Sequence, residues 1–482
     1  MTATDVRTAT RSTEEVGHAT ETPAAVDAVA GWLTTADHTK VARLFAGFSL
    51  AQVLGGLGLA VVIGAERADA TGAKIIDLGA VLQVFASYRW TLVLGGVLPL
   101  LLGLAVGVVP HLVGADTIAF PRATAASLWG WLLGSGTMIA ASLADGGPGG
   151  RHPDAVQLWN VALILTALSL TVTAACIATT IVSLRRPGLR LDRVNPFVWA
   201  MLVVSSVLVL ALPVLAAIVV LVFADFRFVD QAFGGSVQLD RYVGWFTGQP
   251  QVLLLGLPGL AVLADVMGAA ADKRRGLRLA AVGAVGLLSF GPWVQDSFTP
   301  RVLNQGWFGV VAVLSPLAVL AVLGATAAKP PSTAASLPLA LGGALMVTLG
   351  AVVGALAPWA KLGLRGTVFA EGYMVLVVLG SLLGLLAGLV HWGPMLWGSG
   401  PVAAPKAMGL GLLGTLGTFL AGAPLVIAGL QKQPGNAVNF EIKSATKALN
   451  IVSTIGFALV LLTVVAAVGL FATSFRTRRA AD

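Results

Sequence analysis

Five histidines, one cysteine and three acids set within apolar runs are the side chains through which this chain can handle metals or protons. The histidines are His18, His38, His111, His152 and His391. Binding a metal or haem iron requires several donors to converge, and no histidine here has another histidine or a cysteine at i+3 or i+4. His18, His38 and His152 lie in the tail or in loops, and His111 and His391 at the ends of apolar runs. They read as surface or interface histidines. Cys176 stands alone, which excludes an intrachain disulfide and any cysteine-based metal or iron–sulfur site. The acids are Asp265, Asp296 and Glu371. A carboxyl group at membrane depth is costly and marks a functional position by default. No lysine or arginine lies mid-run to pair with Asp296 or Glu371. Asp265 falls at the end of a run and reads as helix-end polarity.

The segments that must position these groups are apolar almost throughout. The chain of 482 residues is 57% hydrophobic and 11% charged, with a mean hydropathy of +0.88. Soluble domains carry about 25% charged residues, so a soluble enzyme and a disordered chain are both excluded. Twelve apolar runs lie near 41–63, 90–113, 123–143, 157–184, 196–224, 247–270, 278–299, 306–328, 336–358, 366–393, 407–430 and 447–472. Each is long enough to cross a bilayer as a helix. The alternating segments of about ten residues that a β-barrel needs are missing. The sequence therefore predicts an all-α, twelve-helix membrane bundle over 41–472, a charged N-terminal tail over 1–40 that lacks a signal-peptide core, and a basic tail over 473–482. The formal charge of +8 is concentrated in Arg185, Arg186, Arg190 and Arg193, in Lys273, Arg274, Arg275 and Arg278, and in Arg476, Arg478 and Arg479. All three clusters follow even-numbered runs. The charge therefore reads as topology, with both termini cytoplasmic, and not as nucleic-acid binding. Gly380, Gly384 and Gly388 recur every fourth residue, a small-residue stripe suited to close helix packing. Heavy use of Ala, Gly and Val, with Arg favoured over Lys, points to a GC-rich bacterial genome and a bacterial plasma membrane.

Several stretches carry a resemblance. Trp32-Leu-Thr-Thr-Ala-Asp-His38-Thr-Lys40 resembles W-L-T-T-x-D-H-K, and Val109-Pro-His-Leu-Val-Gly-Ala-Asp-Thr-Ile-Ala-Phe-Pro-Arg122 resembles V-P-L-x-I-G-A-x-D-M-A-F-P-R. Arg186-Pro-Gly188, Pro196-Phe-Val-Trp199 and Leu212-Pro-Val-Leu-Ala-Ala217 follow in order, then Trp245-Phe-Thr-Gly-Gln-Pro-Gln-Val252 against W-F-F-G-H-P-E-V, and Gly388-Leu-Val-His-Trp-Gly-Pro394. Together they resemble subunit I of the haem–copper respiratory oxidases, cytochrome c oxidase subunit I among them, over nearly the whole chain. The resemblance implies the twelve-helix fold of that subunit.

It also implies six histidine ligands for two haems and a copper ion, and each position holds something else. The second-helix haem ligand falls on Tyr88, followed by Arg89. The copper histidines fall on Gln249, Gln295 and Asp296, and the tenth-helix pair on Gly372 and Met374. The family's proton-passing glutamate falls on Gln251, its cross-linked tyrosine on Leu253, and its propionate-binding arginines on Lys432 and Gln433. No histidine lies between Arg365 and Val390, so a shift in register would not restore the tenth-helix pair. Amide oxygens are poor copper ligands. The sequence predicts that no haem or copper is bound. It also predicts a polar cluster of Gln249, Gln251, Gln295, Asp296 and Glu371 in the volume the cofactors would take, with an ion or proton pathway as the alternative for its two acids.

The expected function follows from these substitutions. The chain reads as a non-catalytic, structural or regulatory subunit of a membrane complex, with the lipid bilayer and other membrane-protein subunits as partners. An active terminal oxidase and a polytopic transporter are the alternatives. The resemblance implies oxidase activity for the first of these, but the ligand set it needs is absent from the sequence.

Overall fold

The computed structural model describes residues 30–68, 75–228, 252–267, 275–288, 334–357, 359–398, 402–438 and 444–479, with a few positions within 243–246 and 314–322. Residues 1–35 and 36–482 form separate units. The architecture below is that of the second.

Among the described residues there is no strand, only an isolated bridge between Thr367 and Pro434. The helices are α1 (His38–Ala68), α2 (Leu78–Val113), α3 (Pro121–Leu143), α4 (Pro153–Ser183), α5 (Pro196–Arg227), α6 (Leu257–Val266), α7 (Arg275–Leu288), α8 (Leu337–Gly354), α9 (Phe369–His391), α10 (Ala404–Leu430) and α11 (Ser444–Arg479). Eight of them are long and apolar enough to cross a membrane: α1, α2, α4, α5, α8, α9, α10 and α11. Helices are what the composition demands, because each satisfies its own backbone where no water can. The run predicted near 306–328 lies almost wholly outside the described residues.

Two boundaries differ from the sequence prediction. The first two apolar runs lie near 41–63 and 90–113, and the residues between them, with Glu66, Arg67 and Asp69, read from the sequence as a mixed-charge loop. The helix instead continues through Glu66 and Arg67 to Ala68, and α2 is already helical from Val81. Charged residues suggested a loop there, but the structure buries both Glu66 and Arg67 and gives them partners.

Helices α2 and α9 form the centre, and the most apolar stretch of each is buried along its whole length. α9 packs against α8, α10 and α6, and α2 packs against α1. The glycine stripe makes the closeness around α9 possible. A Cβ on Gly384 would lie 2.8 Å from the Cα of Gly259 on α6, and one on Gly380 would lie 2.8 Å from the backbone nitrogen of Val347 on α8. These approaches substitute for the hydrophobic drive that lipid does not supply.

α2 is not uniform. Residues Thr91–Val97 form a π turn, and a second, Val252–Gly256, precedes α6. Each π turn contains glycine and is followed by a proline, Pro99 or Pro258. Proline lacks an N–H and crowds the carbonyl four residues back, here on Gly95 and Leu254. Widening the turn moves that carbonyl aside.

Candidate functional site

One end of the bundle gathers buried and half-buried polar groups from five segments. Arg67 lies in the last turn of α1, Tyr88 and Arg89 on α2, and Glu371 in the first turn of α9. Gln433 and Asn436 follow α10, and Asn450 lies on α11. The guanidinium of Arg67 donates through Nη2 to Glu371 Oε2 at 2.7 Å, with the two side chains only 2% and 4% exposed. The same guanidinium sits 4.7 Å above the centre of the Phe85 ring, a cation–π arrangement favoured by desolvation. Asn450 Nδ2 donates to the Arg67 carbonyl at 3.3 Å, and Gln433 Nε2 donates to Asn450 Oδ1 at 3.1 Å. Arg89 bonds the side chain of Asn436. Backbone bonds fix the loop after α10 against α9: Val368 N–H donates to the Gln433 carbonyl at 3.0 Å, and Gly435 N–H to that of Gly366 at 2.8 Å.

Tyr88 is fully buried. Its ring meets Phe457 of α11 edge to face with centroids 6.3 Å apart, and its hydroxyl makes no hydrogen bond among the described residues. Met374 is buried too. Gly372 faces α10 at contact distance, where a Cβ would lie 2.6 Å from the backbone nitrogen of Val426. A histidine could enter there only if α10 moved.

The structure thus corrects one part of the predicted cluster. The sequence groups Glu371 with Gln249, Gln251, Gln295 and Asp296 and offers no mid-run cation to pair with it. Its partner is Arg67, in the last turn of α1 and not in a loop. Gln249, Gln251, Gln295 and Asp296, together with the predicted copper positions they include, lie outside the described residues. A signal for Arg67 was present in the sequence. The buried face of α1 steps through Ala46, Leu50, Val53, Leu57, Ala60 and Gly64 at intervals of three and four, and the next step reaches Arg67.

The opposite end holds His38, His111, His391 and Asp265. His38 and His111 place their rings 5.3 Å apart, a pairing no local spacing could announce. His111 Nδ1 lies 2.9 Å from the Gly107 carbonyl, and His391 lies 3.4 Å from Ser336 Oγ. Among the described residues no group of three or more His, Cys, Asp or Glu could hold a metal ion. Asp265 Oδ2 accepts the Phe197 N–H at 3.1 Å, which satisfies an orphan donor at the first turn of α5. This matches its reading as helix-end polarity.

A cavity of about 330 Å³ lies between α1, α2, α3 and α4, lined by Gln52, Gln83, Ser87, Trp90, Met138 and Trp159 among others. None of Tyr88, Gly372 or Met374 lines it.

Comparison with known proteins agrees with this architecture. The family model described as Cytochrome C and Quinol oxidase polypeptide I matches residues 40–459. A curated Streptomyces avermitilis protein named for cytochrome c oxidase subunit 1-beta is 29% identical over 307 residues, covering 59% of this chain and 54% of its own length. The chain thus spans about half the length of that relative. Cytochrome c oxidase subunit 1 of Debaryomyces hansenii is 24% identical over 403 residues, covering 77% of this chain and 75% of its own. A heme-copper terminal oxidase dimer solved by cryo-EM has the same fold, with a TM-score of 0.69 at 14% identity over 91% of this chain and 84% of its own.

Proposed function

The chain belongs to the cytochrome c and quinol oxidase polypeptide I family, and from that premise we propose that it is a member without the metal ligands, acting as a structural or regulatory subunit of a membrane complex. The observation that carries this reading is the donor set. Haem iron in such a subunit is held by imidazole nitrogen. The described ligand positions hold Tyr88, Gly372 and Met374. Tyr88 is the one oxygen donor among them, and its ring is packed on Phe457. Position 372 has no room for a larger side chain. The Arg67–Glu371 pair joins α1 to α9 beside these residues. These residues do not fit a haem held by two imidazoles. Copper would meet two amides and a carboxylate at Gln249, Gln295 and Asp296, a donor set ill suited to that metal.

Fold alone does not confer activity, which resides in sites. What remains is a large apolar bundle whose partners are the bilayer and other membrane-protein subunits, in a bacterial plasma membrane, with tails over 1–40 and 473–482 on the cytoplasmic side. The test is optical. The protein purified from its own host should show no Soret band and no stoichiometric iron or copper. One haem per chain in a pyridine haemochrome assay would falsify the reading and restore the oxidase alternative.

A further inference from the structure

The basic loop 185–195 and the start of α7 are about eighty residues apart in sequence, yet the fold joins them. Arg275 Nη2 donates to the Val194 carbonyl at 2.7 Å, and the Trp199 indole N–H donates to the Leu279 carbonyl at 3.0 Å. The α2–α3 turn meets the same end of α4: the Arg186 N–H donates to the Val113 carbonyl at 2.9 Å, and the Ala119 N–H to Thr180 Oγ1 at 2.8 Å. The stem of Arg186 lies against Gly114, whose φ of +74° leaves no Cβ in its way. Four exposed arginines from two connections therefore share one end of the bundle: Arg122 after the α2–α3 turn, and Arg186, Arg190 and Arg193 between α4 and α5. The Arg190 side chain is 76% exposed. Arg275 is half-buried beside them. Among the described residues the exposed acids beside them are Asp116 and Asp192, and Asp192 is engaged at 3.1 Å by Arg190.

Three features make this patch more than a scatter of surface charge. The N-termini of α3, α5 and α7 all open at this end, and the positive ends of their dipoles add to the arginines. Arg185 is not free to join them, since it bonds the carbonyls of Ile181, Val182 and Leu189 at the end of α4. The charge that remains is surplus to helix capping. Apolar side chains stand exposed at the rim: Phe120 before α3, Val182 and Leu184 at the end of α4, and Leu277 in the first turn of α7. A clustered cation field flanked by exposed apolar side chains, at the level where membrane helices end, complements a phosphodiester that carries acyl chains.

We propose that this end of the bundle seats the headgroup of an anionic phospholipid, held by Arg190, Arg193 and Arg275, with its acyl chains along Val182, Leu184 and Leu277. The occupant is a membrane lipid and not a free anion, because the apolar rim has no role for inorganic phosphate. The seat needs no particular orientation of the protein, since anionic lipid is available in either leaflet, and it does not depend on the absence of haem.

Native mass spectrometry of the full chain tests this, after detergent delipidation and add-back of phosphatidylglycerol or phosphatidylcholine. The wild type should retain phosphatidylglycerol and release phosphatidylcholine. The R190Q/R193Q variant should lose about twenty-five-fold in retention, since each arginine near a lipid surface contributes roughly a factor of five. R190K/R193K keeps the charge and should keep most of the retention. Elution volume and helical circular dichroism should be the same for all three proteins. Equal retention of both lipids by the wild type, or unchanged retention of phosphatidylglycerol by R190Q/R193Q, overturns the proposal. Displacement of the lipid by millimolar inorganic phosphate overturns it as well, by making the patch a free-anion site.

Discussion

A charged pair buried between α1 and α9 is an unusual thing to find where the family resemblance places a cofactor. Arg67 and Glu371 are each almost wholly removed from solvent and meet at 2.7 Å. Their mutual attraction offsets two large desolvation penalties, so the pair as a whole adds little net stability. Removing one partner is another matter, because it strands a buried charge. Glu371→Gln should lower stability by about 3–5 kcal/mol, and Arg67→Met by a similar amount. The double variant Arg67→Met/Glu371→Leu should recover most of the loss, since apolar side chains of similar volume fill the space without charge. Thermal unfolding in detergent, followed by tryptophan fluorescence, reads all three. Additive losses in the double variant would mean that the pair is not coupled. The sequence made Glu371 legible as a costly acid, yet it hid the partner, because Glu66 and Arg67 look like the start of a loop. Burial of both, with hydrogen bonds to each, is a tertiary fact that local composition cannot express.

Among the elements, helix identity was legible and helix texture was not. Long apolar runs separated by charge and proline marked the positions of α3, α4, α5, α8, α9, α10 and α11 to within several residues, because length and hydropathy are what a bilayer selects. The π turns at Thr91–Val97 and Val252–Gly256 left no comparable mark. Pro99 and Pro258 follow them, but Pro110, Pro213 and Pro424 lie inside stretches that keep the α pattern. Proline alone therefore did not announce a widened turn. The glycine stripe on α9 was read as packing, and the contacts of Gly380 and Gly384 bear that out. A paired substitution separates close packing from mere smallness. Gly384→Ala sets a methyl group 2.8 Å from the Gly259 backbone and should cost about 1–3 kcal/mol through overpacking. Gly47→Ala on the exposed face of α1 has nothing within 4 Å and should be neutral or stabilising by up to about 1 kcal/mol, from helix propensity. Melting temperatures measured in the same detergent give both signs. Equal effects would show that α6 and α9 do not touch as described.

At the scale of the whole molecule, the arginines of the short loops gather at one end of the bundle. The starts of α1, α3, α5 and α7 and the ends of α2, α4, α6 and α9 come together through specific contacts. These include Arg43 Nε to the Leu396 carbonyl at 2.6 Å, Phe197 N–H to Asp265, and Arg275 to Val194. Trp397 stacks on Phe471 near the end of α11 at 5.8 Å, which brings that helix end to the same side. The side so defined carries Arg122, Arg186, Arg190, Arg193 and Arg275, while the other holds Glu66, Asp77, Asp145, Asp154 and Asp225 beside its own cations. Short loops rich in arginine resist translocation, so the basic side should face the cytoplasm. Cys176 is buried within α4, which keeps the wild-type background low in thiol labelling. A cysteine introduced at Leu189, in the 185–195 loop, should therefore resist a membrane-impermeant maleimide in intact cells and react once the membrane is opened. A cysteine at Leu78, exposed at the start of α2 on the opposite side, should react in intact cells. The reverse pattern would invert the bundle and place the basic loops outside.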